Sequence, residues 1–316
     1  MPLPIGITPW RYDASAPARL LTEQAERAEA LGFDSFWLPE SHFTGPSANP
    51  SPLLWLAAVA ARTERIKVAT TSFLLPVRNA LQVAEEVAVL DRISEGRLVL
   101  GVGRGFRRAL FEAFEVPASE KRDRFEAALE VMRDAWAGKP VTENRADGAI
   151  LSPLPLQDPH PPIWVAAFGP KALALVGRLR LPYLASPMEP LAKLVQNYTA
   201  HREAVDEAGG VLDPSVPVMR TVFAHPEATV RARVGEGLER QLSRIARGGP
   251  GAVRDAAPTG LDDWALVGEP APVADQVASV RETLGMTHLI ARTSMPGASE
   301  TEELQALEHL AECAAG

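Results

Sequence analysis

Short apolar runs alternate along this chain with longer stretches whose apolar positions recur every three or four residues. The runs at 3–8 (LPIGIT), 35–39 (SFWLP), 66–76 (IKVATTSFLLP), 97–103 (RLVLGVG), 163–168 (IWVAAF), 182–186 (PYLAS), 216–224 and 288–292 (HLIAR) read as eight strands. They are continuous rather than alternating in polarity, the pattern of a parallel sheet covered on both faces. Helical periodicity fills the intervals. Leu20, Leu21, Ala25, Ala28 and Leu31 share one face, and Gly32 follows where a C-terminal cap belongs. Ser51 and Pro52 open the next helix as N-cap and first residue. Further helices are predicted over 79–94, 119–137, 170–179, 190–208, 226–247, 270–285 and 300–314.

Eight strand–helix steps with no low-complexity linker predict an α/β protein, a single-domain (β/α)8 TIM barrel spanning residues 1–316. Two Gly/Pro-rich stretches interrupt the rhythm, at about 138–162 and 248–263. They are expected as loop insertions, the first with a short hairpin, acting as lids over the pocket. In this fold the active site is assembled at the C-terminal ends of the strands. Position in sequence therefore becomes position in space, and Glu40, Ser41 and His42, Thr70 to Ser72, Gly103 to Phe106, Phe168 to Lys171, and Ser186 are all expected on one rim.

Composition narrows the chemistry. The 316 residues are 46% hydrophobic, enough for a full-sized core, and a formal net charge of -8 argues against nucleic acid or an anionic membrane surface as partner. The single cysteine, Cys313, rules out an intrachain disulfide framework or thiolate cluster. The start, MPLPIGITPW, lacks a basic segment followed by an apolar run, and no apolar stretch reaches the ~18 residues of a membrane span. The expectation is a cytoplasmic chain with no metal.

Among barrel chemistries, a metal hydrolase wants a His-x-His pair, and the sequence has none. A Schiff-base enzyme wants a lysine late in a strand, whereas Lys67 comes early; a retaining glycosidase wants two carboxylates at strand ends, and only Glu40 is so placed. A bound organic cofactor would supply what these side chains do not. GVGRGF (101–106) lacks the third glycine of a dinucleotide fingerprint and reads better as a strand end where backbone approaches a ligand, with Arg104 for an anion. Lys171, in the first turn of a helix opened by Gly169 and Pro170, suits a phosphate. His42, two residues from Glu40, is a candidate for proton transfer, while His201 and His309 fall on predicted helix surfaces.

The block 33–106, containing FDSFWLPESHF, TERIKV, LLP, AEE…LD-x-x-S-x-G-R and LVLGVGRGF, resembles the luciferase-like flavin-dependent oxidoreductases, relatives of bacterial luciferase. Thinner resemblance continues through 161–173 and 267–290. It implies a barrel that binds reduced FMN, or in other branches a deazaflavin. It also implies a monooxygenase fed by a separate flavin reductase, using O2 to oxidise a small or medium organic substrate. Deazaflavin-dependent hydride transfer and non-catalytic flavin binding are the alternatives.

By the same resemblance Glu40, Ser41 and His42 are catalytic. Glu40, Thr71, Ser72, Gly103, Arg104, Phe106, Ala166, Ala167, Phe168 and Lys171 match the family's cofactor contacts, with a non-prolyl cis peptide at Thr71–Ser72; Gly169 and Ser186 are expected to join them from their places at strand ends. A homodimer would pack through Leu53, Leu54, Leu56 and Val59. One departure stands out: the luciferase motif is Glu-His-His, and Ser41 replaces its first histidine. Likewise Gly103 stands where luciferase has a reactive cysteine.

Overall fold

The computed structural model describes residues 2–142, 148–209, 213–248, 258 and 260–315. The chain divides into two compact units, one comprising Met1–Arg11, Arg27–Trp37 and Trp164–Gly316, the other Tyr12–Glu26 and Leu38–Ile163. The α/β class holds. Strands and helices alternate as a (β/α)8 sequence requires, and the strand pairs within each unit are parallel.

The strands are β1 (Ile5–Ile7), β2 (Ser35–Leu38), β3 (Lys67–Thr70), β4 (Phe73–Leu74), β5 (Leu98–Gly103), β6 (Ile163–Ala166), β7 (Tyr183–Leu184), β8 (Pro217–Ala224), β9 (Ala265–Gly268) and β10 (His288–Arg292). The helices are α1 (Arg19–Ala30), α2 (Pro52–Ala60), α3 (Ala80–Ile93), α4 (Arg108–Ala113), α5 (Lys121–Trp136), α6 (Pro170–Arg178), α7 (Leu191–Ala208), α8 (Ala228–Gly248), α9 (Pro270–Leu284) and α10 (Glu300–Ala315). All eight expected strands are present, the third broken into β3 and β4. Strand β9 is an addition, a short apolar run just past the second loop whose length gave it little periodicity to read.

In the first unit β1 pairs with β2 (Gly6↔Ser35) and β10 (Gly6↔Ile290), β10 with β8 (Ile290↔Met219), and β8 with β9 (Val222↔Leu266). Strand β8 is buried along its whole length, with Arg220 and Thr221 enclosed among its apolar residues. Gly6 is set by crowding: a Cβ there would collide with the Ser35 hydroxyl and the Trp37 ring. That indole stacks on Trp164 at 5.2 Å, and Trp164 in turn packs against His288 at 5.0 Å. The chain past β10 is tied to the end of β1 by Thr293, whose hydroxyl donates to Thr8 O at 2.7 Å.

Among the described residues, Asp91 and Glu303 are two of the carboxylates that hold loops. Asp91, fully buried near the end of α3, accepts from the Leu156 and Gln157 N–H groups at 2.7 and 2.9 Å and from Gln157 Nε2 at 2.7 Å. Gln157 also donates to Leu98 O at 2.9 Å, and Arg92 to Leu154 O at 2.6 Å. This corrects the lid expectation for the first insertion. Residues 154–157 are fastened at the N-terminal end of β5, away from the end that carries Gly103. A Val141 N–H to Ala149 O bond of 2.8 Å fits the expected hairpin, whose 143–147 tip lies outside the described residues. Most of the second loop, 249–257 and 259, also lies outside them.

The other carboxylate is Glu303 on α10, which accepts from the Met295 N–H at 3.2 Å and lies 3.1 Å from Arg11 Nε. Burial pushes it up to about 7, with the Met295 N–H and Arg11 pulling the other way.

Arg97 reads the same end of the second unit as Asp91. It donates to Ser94 O, Ile66 O, Ala60 O, Thr63 O and the Thr63 hydroxyl at 2.6–3.0 Å, satisfying carbonyls left open at the end of α2. His201 departs from expectation. It is buried on α7, its Nε2 2.9 Å from Leu181 O, because α7 turns that face inward against α6. Of the four residues expected at a dimer interface, Leu53, Leu56 and Val59 belong to the core and only Leu54 is exposed, at 75%.

Two predictions follow from these carboxylates. Asp91→Ala removes a fully buried carboxylate that accepts three hydrogen bonds and should cost about 3 kcal/mol or more of unfolding free energy; a urea titration showing under about 1 kcal/mol would refute the anchor. For Glu303, the folded pKa lies above the unfolded value of 4.5, so the folded state holds the extra proton between 4.5 and about 7. Stability should therefore fall as pH rises through that window, and Glu303→Gln should flatten this part of a Tm-versus-pH curve.

Candidate active site

The end of β2 delivers Pro39, Glu40, Ser41 and His42 in succession, and the fold treats each differently. The Glu40 side chain is fully buried. Its Oε2 accepts the Leu74 N–H at 2.9 Å, while Oε1 accepts from Arg78 at 2.9 Å and lies 2.6 Å from His42 Nε2. An ionised carboxylate only accepts, so Nε2 donates its proton to Oε1, and in the neutral form of the ring Nδ1 carries the lone pair. The imidazole is almost fully buried, edge-on to Phe114 at 5.2 Å, and its backbone carbonyl accepts from Arg107 at 2.9 Å. A carboxylate that fixes one ring nitrogen leaves the other as an oriented base.

Ser41 turns out to be a loop fastener. Its hydroxyl donates to Ser47 O at 2.7 Å and accepts the Asn49 N–H at 3.0 Å, closing the 41–49 loop together with the Ser41–Asn49 backbone bridge. Asn49 in turn donates to Pro39 O at 2.6 Å. The hydroxyl proton is thus already committed.

Strands β3 and β5 run side by side in this unit. Thr71 N–H donates to Leu38 O at 2.8 Å, and the Thr71–Ser72 peptide is cis, as the resemblance implied. A Cβ on Gly103 would run into the Ser72 hydroxyl, so only glycine allows that contact. Beyond it Arg104 is half-buried, Gly105 takes a φ of +69° and Phe106 is exposed. Burial and the neighbouring Arg122 hold the Arg104 guanidinium below its usual range, partly offset by Glu126. Lys121, at the start of α5, is depressed by burial, Arg104 and Arg122. Three cations therefore crowd one another after β5.

The remaining expected residues belong to the first unit. Ala166 ends β6, Ala167 is buried, Phe168 is partly exposed, and Gly169 turns the chain at φ +77° into α6. Nothing lies within 4 Å of where a Gly169 Cβ would stand, and Lys171 is exposed in the first turn. Ser186 follows β7; its N–H donates to Glu189 Oε2 at 3.0 Å. Glu189, buried, also takes the Tyr183 hydroxyl at 2.9 Å and Asn197 Nδ2 at 2.7 Å, and its backbone carbonyl accepts from Arg220. Burial pushes its carboxyl up.

Sequence reasoning missed Arg78, Arg107, Lys121 and Arg122, and the Tyr183–Glu189–Asn197–Arg220 network. Arg78 carried a usable signal: it follows a strand end on the functional rim.

The luciferase-like monooxygenase family matches residues 1–288. Limonene 1,2-monooxygenase of Rhodococcus erythropolis is 26% identical over 88% of this chain and 76% of that one. The F420-dependent glucose-6-phosphate dehydrogenase of Microbacterium testaceum is 32% identical over 63% of this chain and 62% of its own. Among solved structures, the oxygenating constituent of 3,6-diketocamphane monooxygenase from Pseudomonas putida, in complex with FMN, shares the fold. It superposes with a TM-score of 0.81 at 24% identity over 99% of this chain and 98% of that one. With the fold and a family match over residues 1–288 in agreement, the chain belongs to the luciferase-like monooxygenase family and is an oxidoreductase.

Proposed function

We propose that this chain is the oxygenase component of a two-component flavin monooxygenase, oxidising a small or medium organic substrate with O2 and reduced FMN delivered by a separate reductase. The observation that carries the reading is the buried Glu40–His42 pair at the end of β2, an oriented base in a setting otherwise poor in catalytic groups. The cofactor fits the donors present. Arg104, crowded by Arg122 and Lys121, is a cation whose electrostatic cost a bound phosphate would relieve. Separately, in the other unit, Gly169 and the open start of α6 present backbone N–H groups and Lys171 that would suit an anion.

Reduced FMN, when bound, supplies two electrons for the reduction of O2, one oxygen atom passing to the substrate and the other to water. The chain's residues do the rest. Glu40 holds His42 through Nε2 and is itself fixed by Arg78 and the Leu74 N–H. His42 Nδ1 takes or returns a substrate proton. Ser41 keeps the 41–49 loop in register instead of moving protons. The Ala166–Lys171 segment is assigned to the cofactor by the family resemblance, and Ser186 by its place after β7. Leu54, Val89 and Ile93, exposed on α2 and α3, supply apolar surface for a homodimer.

The relationship to an F420-dependent dehydrogenase supports a second reading, hydride transfer from a deazaflavin. Fluorescence titration with both cofactors separates the two: FMN is expected to bind tighter, and Arg104→Ala to weaken it about tenfold or more. Turnover of a panel of terpenoid and aromatic ketones under labelled O2 should give labelled product. Tighter deazaflavin binding with O2-independent turnover would replace the monooxygenase reading. Glu40→Gln should lower kcat about 100-fold and distort the pH–rate profile, since it leaves His42 unoriented; an unchanged profile would remove the pair from the chemistry.

A further inference from the structure

Helix α8 carries two adjoining stripes. Val230, Val234 and Leu238 pack with Phe223, Trp264 and Met295 in a buried apolar cluster. Beside them Gly237, Arg240, Gln241 and Arg244 line a cavity of about 330 Å3, completed by Arg292, Ser294, Met295 and Pro296 past the end of β10. Gly237 permits the approach of helix and loop, since a Cβ there would stand 2.5 Å from Pro296 O and 3.0 Å from its ring carbons. The volume is that of a small-molecule site.

Arg292 is the last residue of β10, at the same end of the parallel strands as Ala166 and Ser186. It donates to the Thr221 hydroxyl at 3.2 Å and to Gln241 Oε1 at 2.8 Å. Both acceptors are neutral, and no carboxylate among the described residues pairs with it. Burial is the whole cause of its depression to about 10.

The other enclosed arginines are served differently. Arg97 has five oxygen acceptors, and Arg220 lies beside Glu189, whose charge supports its own. Arg292 has a fork of five N–H donors with two used. Two more guanidinium groups, Arg240 and Arg244, line the same cavity, and among the described residues only a 3.5 Å contact from Arg240 to Glu236, exposed on both sides, offsets them. An enclosed cation without a counter-charge is costly, and an oxyanion accepting the remaining N–H donors removes that cost.

We propose that this cavity is an oxyanion site that takes the carboxylate or phosphate of an acidic organic substrate, with Arg292 as its principal donor and Arg240 and Arg244 adding charge. The word substrate rests on the oxidoreductase reading above; the binding of the oxyanion does not.

The test is calorimetric titration of the flavin-free, full-length protein with inorganic phosphate and, separately, with acetate at constant ionic strength. One of the two is expected to bind. Phosphate preference assigns a phosphoryl group, acetate preference a carboxylate. Arg292→Gln should weaken binding about tenfold or more, and Arg292→Lys less, because it keeps the charge and loses the fork. If Arg292→Gln does not fold, the surface double variant Arg240→Ala/Arg244→Ala decides, with an expected loss of about threefold or more. Failure of both oxyanions to bind the wild type, or an affinity unchanged in the deciding variant, overturns the proposal. A parallel FMN titration of the wild type keeps the two readings apart: no flavin binding would overturn the cofactor assignment and leave the oxyanion site standing.

Discussion

Parallel strands buried on both faces leave almost no room for polar side chains along their length, and the rest of this structure follows from that restriction. Strand β5 is buried at every residue and β8 likewise, so charged groups mostly collect where strands end, while Arg220 within β8 is held beside Glu189. A polar residue at such an end either anchors the connecting chain or faces a ligand.

The difference shows in how completely each group is satisfied. Asp91 and Arg97, near the N-terminal end of β5, are saturated by backbone and amide partners and hold the chain in place. Glu40 is saturated too, but one of its partners is an imidazole held through one nitrogen with the second left unengaged by Glu40, which turns an anchor into a means of orienting the ring. Arg104 and Arg292 are the opposite case: cations whose surroundings depress them rather than neutralise them. Saturation marks architecture, and residual demand marks ligand.

Much of this was legible in the chain. The eight strands, the cis position at Thr71–Ser72 and the polar cluster after β2 were all read correctly, because unbroken apolar runs and family motifs are local signals. Less legible were partners far apart in sequence: Arg78 beside Glu40, Gln157 beneath Asp91, Asn197 beside Glu189. The insertion at 138–162 looked like a lid because proline density says only that a segment is irregular. The bonds from Asp91 and Leu98 decide which end of the strand it covers.

The sequence by itself determined the alternation of elements, the class of fold and the roster of groups near Glu40, since periodicity and strand ends are properties of neighbours in the chain. Only the tertiary structure decided which of those groups are free to act. Ser41, the residue that breaks the family motif, has its hydroxyl drawn to Ser47 and Asn49, while His42 keeps a nitrogen in reserve. Arg292 ends a strand as many residues do, and its meaning lies in the helix packed beside it, which lines a cavity with two more arginines, a lining that holds no carboxylate among the described residues. A hydrogen-bond inventory is a sum over neighbours in space, and the order of residues along the chain does not specify it.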